Sequence, residues 1–304
     1  MTTKKSILDG VDDRIDHWLD AVGARRPPWA GREAKEKKPW YALGKAAQQM
    51  SIESGPTTDL GKENLLADLL EIIDTNWRAG GCVYRGERRN WVLEKSPSLN
   101  PQNVSAEVIL ERLAVLLFET NWAHPKLFNQ VATCSGLMPE KNEGGMHVDL
   151  VCDQGRNRYE FIELKYLDGS RGAYGSNNPL YAAFEVLVYG LLFIHAKKSK
   201  GLLGETPLQH AERIQLTVLA PLDFYRHKVR GAVARRYDLK WFETLVNKWF
   251  KSIGVQPSMT LRFQAFTQEF EACYGHPKEG VALPMAIQAL RKVGLKGRAL
   301  VYGD

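Results

Sequence analysis

Cysteine is scarce in this chain. The 304 residues contain four, Cys82, Cys134, Cys152 and Cys273. No two form a CxxC pair or a Cys/His cluster at zinc spacing, so neither a structural zinc site nor a thiol redox motif is expected. Cys134 and Cys152 fall in expected strands, where a free thiol acts as a small apolar side chain. The chain reads as cytosolic and reduced. Its first residues, Met1 to Ser6, carry no apolar run long enough for a signal peptide. The most hydrophobic stretch, Leu180 to Ala196, is short for a membrane span and contains Glu185, so a buried core helix is expected and no membrane partner. Internal repeats and low-complexity segments are absent. Also absent are a Gly-x-x-x-x-Gly-Lys phosphate loop, a Gly-x-Ser-x-Gly elbow and a His-Glu-x-x-His helix. Nucleotide-loop, serine-hydrolase and zincin chemistry are thereby set aside.

What remains is an ordinary soluble composition, 44% hydrophobic and 25% charged. Lysine and arginine total 41 against 35 acids, a formal charge of +6. A basic balance permits a nucleic-acid partner without demonstrating one.

Periodicity places the elements. Residues 6–22 read as an amphipathic helix, with Ile7, Val11, Ile15, Trp18 and Leu19 on one side. A basic, proline-containing stretch follows, from Arg25 through Lys38, and reads as a linker or arm. Residues 1–58 therefore form a helical and basic extension, and 59–304 the main domain. Helices are expected over 62–77, from Ala106 to about Asn121, over Leu180–Ala196, over Leu239–Ile253 and over about 284–293. Strands are expected within 82–94 and over Leu127–Cys134, Ile214–Ala220 and Thr260–Phe266. The fold class is α/β.

One hairpin, His147 to Tyr166, organises the rest. Two apolar-rich runs flank the polar turn Gln154-Gly155-Arg156-Asn157, which predicts two antiparallel strands. With period two, His147, Asp149 and Val151 share one face of the first strand. Glu163 and Lys165 share one face of the second, while Ile162 and Leu164 point the other way into a core. If the polar faces coincide, an Asp, a Glu and a Lys meet on the surface of a sheet. Acid-x-Lys triplets also occur at Glu33/Lys35, Glu36/Lys38 and Asp238/Lys240. Those lie in the basic linker or open a helix. Only Glu163/Lys165 sits on an apolar, alternating segment beside another acidic strand.

Two carboxylates held close repel, and one takes up a proton unless a cation neutralises them. Magnesium prefers oxygen ligands and binds through one or two carboxylates plus substrate phosphate. Asp149 and Glu163 suit that role, with the backbone carbonyl of Leu164 as a further ligand for Mg²⁺ or Mn²⁺. Lys165 beside them would orient or deprotonate a water, or neutralise charge in the transition state. Glu185 is a charge inside a very apolar helix, which needs a partner or a role.

Helix with Glu, strand, strand with Asp, strand with Glu-x-Lys, helix, strand: over about residues 105–267 this order resembles the PD-(D/E)XK nuclease superfamily. Its motif falls on Asp149, Glu163 and Lys165. The resemblance implies a central mixed β-sheet flanked by helices, an αβββαβ restriction-endonuclease-like core, and metal-dependent cleavage of phosphodiester bonds, usually in DNA. It also implies an acidic residue on the preceding helix, Glu111 or alternatively Glu107. A Gln-x-x-x-Tyr pattern of the RecB-like branch corresponds to Glu185 and Tyr189, with Glu in place of Gln. Val148 stands where the motif has Pro. The function implied is a nuclease of restriction, phage defence or repair. An RNA-cleaving variant and a non-catalytic nucleic-acid-binding or scaffolding protein of the same fold are the alternatives. Arg171 and the basic run Arg226, Lys228, Arg230, Arg235 and Arg236 are candidate phosphate contacts. A homo-oligomer or a partner protein is left open.

Overall fold

The computed structural model describes residues 7–22, 63–80, 90–95, 106–117, 126–133, 146–166, 179–199, 202–203, 205–227, 235–236, 238–270, 292–293 and 297–302. Helices α1 (Val11–Ala21), α2 (Leu65–Ala79) and α3 (Ala106–Leu117) precede the strands β1 (Lys126–Ala132), β2 (His147–Gly155) and β3 (Arg158–Leu164). Helix α4 (Pro179–Lys198) leads to β4 (Arg213–Ala220), followed by the two-residue strands β5 (Arg226–His227) and β6 (Arg235–Arg236). Helix α5 (Lys240–Ile253) and strands β7 (Ser258–Phe266) and β8 (Arg298–Leu300) complete the order.

The sheet is six-stranded and mixed, in the order β1-β2-β3-β4-β7-β8. β1, β2 and β3 form an antiparallel meander. β3, β4 and β7 run parallel, which requires the crossovers that α4 and α5 supply. The β2–β3 turn has Arg156 at φ 54° and Asn157 at φ 57°, the left-handed pair of a hairpin turn whose twist matches the strands. β8 pairs only with the last three residues of β7. Upstream, Asn247 of α5 closes the free edge of β7, accepting from the Leu261 N–H at 2.7 Å and donating to its carbonyl at 3.2 Å. A side-chain amide thus replaces a neighbouring strand where an open edge would invite pairing.

Two cores cover the two faces. The larger joins α1, α2, α4 and α5 to one face of the sheet, and α4 contributes thirteen buried residues to it. Helix α4 is the one helix among the described residues long and apolar enough to cross a membrane by length and composition. Its apolar surface is used inside the protein, as the sequence suggests. At Gly190 it approaches β4 so closely that an added Cβ would stand 2.8 Å from Leu216. Ile7, Val11, Ile15, Trp18 and Leu19 of the N-terminal helix belong to the same core. That part of the 1–58 extension is therefore built into the main body. The smaller core lies on the other face, where Leu110 and Leu113 of α3 meet Leu127, Leu150, Cys152, Ile162 and Leu164. Cys152 is a buried free thiol, pushed up to about 12 by burial and by Glu160.

The expected helices over Leu180–Ala196 and Leu239–Ile253 and the expected strands of the hairpin and β4 are present with small boundary shifts. The expected helix over about 284–293 falls almost wholly outside the described residues, and the expected strand within 82–94 does so in part. Trp91, described, is buried against Phe161 and Phe193, and its backbone N–H donates to the Ala132 carbonyl at 2.8 Å.

Candidate active site

Glu163, Leu164 and Lys165 stand at the carboxyl end of β3, next to that of β4. The Lys165 N–H donates to the Leu219 carbonyl at 2.9 Å. In sheets with parallel strands this end is where ligands bind, because the loops there can open a crevice. The sequence places the polar trio on the surface of a sheet. The structure buries two of the three instead, because α4 covers that face: Glu163 is only 2% and Lys165 only 6% exposed, while Asp149 is half-buried.

Asp149 reaches Glu163 through a break in the sheet. Leu150 pairs with Ile162, so the next step would set Asp149 opposite Glu163. The ladder stops there. The Leu164 N–H donates to Asp149 Oδ2 at 2.9 Å, a side chain in place of a strand carbonyl. On the other side, Asn129 pairs with Leu150 and Val131 with Val148, while the intervening Gln130 has φ 52°. Val148 and Val151, three residues apart, both join the larger core. Strict alternation, assumed for His147, Asp149 and Val151, fails locally.

Lys165 Nζ donates to Glu163 Oε1 and lies 3.1 Å from Glu185 Oε2. Glu163 Oε2 is buried with no hydrogen-bond partner among the described residues. Burial and the neighbouring Asp149 push the Glu163 carboxyl well above its ordinary range. Burial, with Glu107 and Glu111 adding repulsion, pushes Asp149 up to about 8 despite Lys165 and the Leu164 amide. Burial opposes the Lys165 ammonium, but Glu163, Glu185, Glu107 and Asp149 together hold it well above its ordinary value. Four carboxylates thus face one ammonium in a desolvated site, an arrangement short of positive charge.

Both helix carboxylates are close by, in different situations. Glu107 accepts from the Tyr166 N–H at 3.0 Å and acts electrostatically on Lys165. Glu111, 3% exposed, accepts from Asn129 Nδ2 and Gln130 Nε2, each at 2.7 Å. Glu107, weighed as the alternative, is the one that meets the backbone next to Lys165. Residue Tyr181, absent from the sequence reading, donates its hydroxyl to Glu185. Its position four before Glu185 on one helix was the available signal. Tyr189 is buried with its hydroxyl under the influence of Glu163, Glu185 and Asp149. His147, at the start of β2, is half-buried.

The basic candidates fare unevenly. Arg171, Lys228 and Arg230 lie outside the described residues. Arg226 and Arg236 pair through their backbones in the small β5–β6 ribbon, separate from the main sheet, and Arg235 pairs with His227. Among the described residues no group of three or more His, Cys, Asp or Glu is arranged to hold a metal. The donor set at Asp149 and Glu163 is two carboxylates and neighbouring backbone oxygen, the hard ligands magnesium takes with water completing its shell. No family model, curated protein or solved structure matches this chain.

Proposed function

We propose that this chain is a metal-dependent nuclease of the PD-(D/E)XK type, acting on DNA. The observation that carries the reading is the buried Glu163 carboxylate. One of its oxygens is engaged by Lys165, and the other has no partner among the described residues, near Asp149, whose own carboxyl is pushed up to about 8. Such a pair is costly unless a cation completes it. Support also comes from the element order, α3, β1, β2 with Asp149, β3 with Glu163 and Lys165, α4, β4, which follows the αβββαβ order of a restriction-endonuclease-like core.

Asp149 and Glu163 would hold Mg²⁺ or Mn²⁺, with the Leu164 carbonyl as a further ligand. When bound, the ion lowers the pKa of a coordinated water and stabilises charge on the phosphate oxygens. The residues do the remainder. The Leu164 amide fixes the rotamer of Asp149. Glu185, oriented by Tyr181, tethers Lys165 near Glu163. In the metal-free site the surrounding carboxylates hold the Lys165 pKa high, which favours neutralising charge and orienting the attacking water as its role. Burial of Glu163 and Lys165 keeps bulk water from their ion pair, which strengthens it.

The test is cleavage of supercoiled plasmid and of single-stranded DNA with Mg²⁺ or Mn²⁺, against a chelator control. Asp149→Ala and Lys165→Ala are each expected to lower the rate by about a hundredfold or more. Full activity in either variant overturns the assignment.

A further inference from the structure

Glu111 does not end in the site, and what it does hold is informative. Its two oxygens accept from the amides of consecutive residues, Asn129 and Gln130, each at 2.7 Å. Consecutive residues of a regular strand point to opposite faces, so one carboxylate cannot bond both unless the strand turns. It does turn. Gln130 has φ 52°, a left-handed conformation that is unfavourable for a non-glycine residue and persists only where the surroundings enforce it. The turn falls opposite Asp149, between the pairs Asn129–Leu150 and Val131–Val148. On the far side of Asp149 the β2–β3 ladder ends at Leu150–Ile162, and Asp149 Oδ2 takes the Leu164 N–H. Clamp, left-handed residue, broken ladder and displaced carboxylate form one continuous set of contacts from α3 to the site.

From this we infer that Glu111 is a positioning residue: by clamping Asn129 and Gln130 it holds the left-handed turn in β1 that sets Asp149 against Leu164 and Glu163. The catalytic importance of that placement rests on the nuclease reading, but the placement itself does not. The determinant at position 130 is then its backbone conformation. Glycine should serve there, since it adopts φ above zero without penalty, and a β-branched residue should not.

The experiment compares wild type with Glu111→Ala, Gln130→Val and Gln130→Gly, each checked for folding by circular dichroism. Two quantities are read without any nuclease assay. Hydrogen exchange at the Leu164 amide reports the Asp149 contact in metal-free protein. Calorimetric titration with Mn²⁺ reports the site. In Glu111→Ala and Gln130→Val the Leu164 amide is expected to exchange about tenfold faster or more, and Mn²⁺ to bind about ten- to a hundredfold more weakly. Gln130→Gly is expected to stay within about threefold of wild type in both. If Glu111→Ala does not fold, the contrast between valine and glycine at 130 carries the test alone. Folded Glu111→Ala and Gln130→Val with wild-type Leu164 protection overturn the proposal, as does a glycine variant as impaired as the valine one. If wild type itself takes up no Mn²⁺, the nuclease reading fails, and Leu164 exchange still decides what Glu111 does.

Discussion

At the scale of single residues, the site is a place where stability is given up. A carboxyl whose pKa is pushed to about 8 is a group that folding disfavours in its charged form. Replacing Asp149 with asparagine keeps an oxygen to accept from Leu164 and removes the charge. Asp149→Asn is therefore expected to be more stable than wild type in metal-free solution at pH 7, by about 1 kcal/mol or more. It should also have lost divalent-ion-dependent stabilisation. Denaturant melts with and without Mg²⁺ check both, and a variant less stable than wild type without metal would contradict the account. The sequence disclosed these residues unevenly. Asp149, Glu163 and Lys165 were legible because alternation and an apolar frame set them apart from three other acid-x-Lys triplets. Which glutamate of α3 meets the backbone beside Lys165 was not, since Glu107 and Glu111 share a helix face and only the seating of α3 on β1 separates them. The left-handed Gln130 left no trace, because nothing in its residue type calls for φ above zero.

At the scale of elements, α4 is the piece on which the site depends, since its Glu185 tethers Lys165 and its apolar surface buries Glu163 and Lys165. It is held from the other side by α2. His195 of α4, buried at the interface, sits with Nδ1 2.5 Å from Asp74 Oδ1 and its ring edge-on to Trp77. Burial lowers the His195 pKa, outweighing the hydrogen bond and the charge of Asp74. A folded-state pKa below the unfolded value near 6.5 means that the unfolded chain takes up the proton more readily. The contribution to stability is present above about pH 6.5 and is lost as the pH falls through the lowered folded value. Thermal melts of wild type and His195→Gln from pH 7.5 to 5 isolate this group: wild type should lose midpoint relative to the variant as the pH falls, while Asp149 and Glu163, whose raised pKa values favour the folded state on acidification, act equally in both. Long, strongly patterned elements such as α4, α5 and β4 were readable from composition and period. β8, three residues long, was not, because so short a strand has no period to detect and is defined only by its pairing with β7.

At the scale of the whole molecule, the last described strand is tied to the centre of the sheet by a buried ion pair. Glu160 of β3, fully buried, accepts from both terminal nitrogens of Arg298 at 3.1 Å, from Thr217 at 2.7 Å and from Gln215 at 3.0 Å. Removing one partner strands an uncompensated charge, so Arg298→Ala is expected to destabilise the fold by about 3–5 kcal/mol. Replacing Glu160 and Arg298 together with glutamine and methionine should cost much less. Denaturant midpoints of the single and double variants measure this, and a near-neutral single variant would contradict it. The α/β class followed from the order of periodic segments, and the layering of helices on a mixed sheet from the resemblance of that order to a known core. The burial of the N-terminal helix in the main core did not, because an amphipathic stripe tells that a helix packs but not against what.

All of these scales meet in the claim that Asp149 and Glu163 are a metal site. The most direct measurement is anomalous diffraction from crystals soaked in Mn²⁺. A single strong peak within about 2.5 Å of carboxylate oxygens from both residues is the expected result. Well-ordered, folded protein with no peak between them at millimolar Mn²⁺, and with Lys165 still occupying the space beside Glu163, would contradict it.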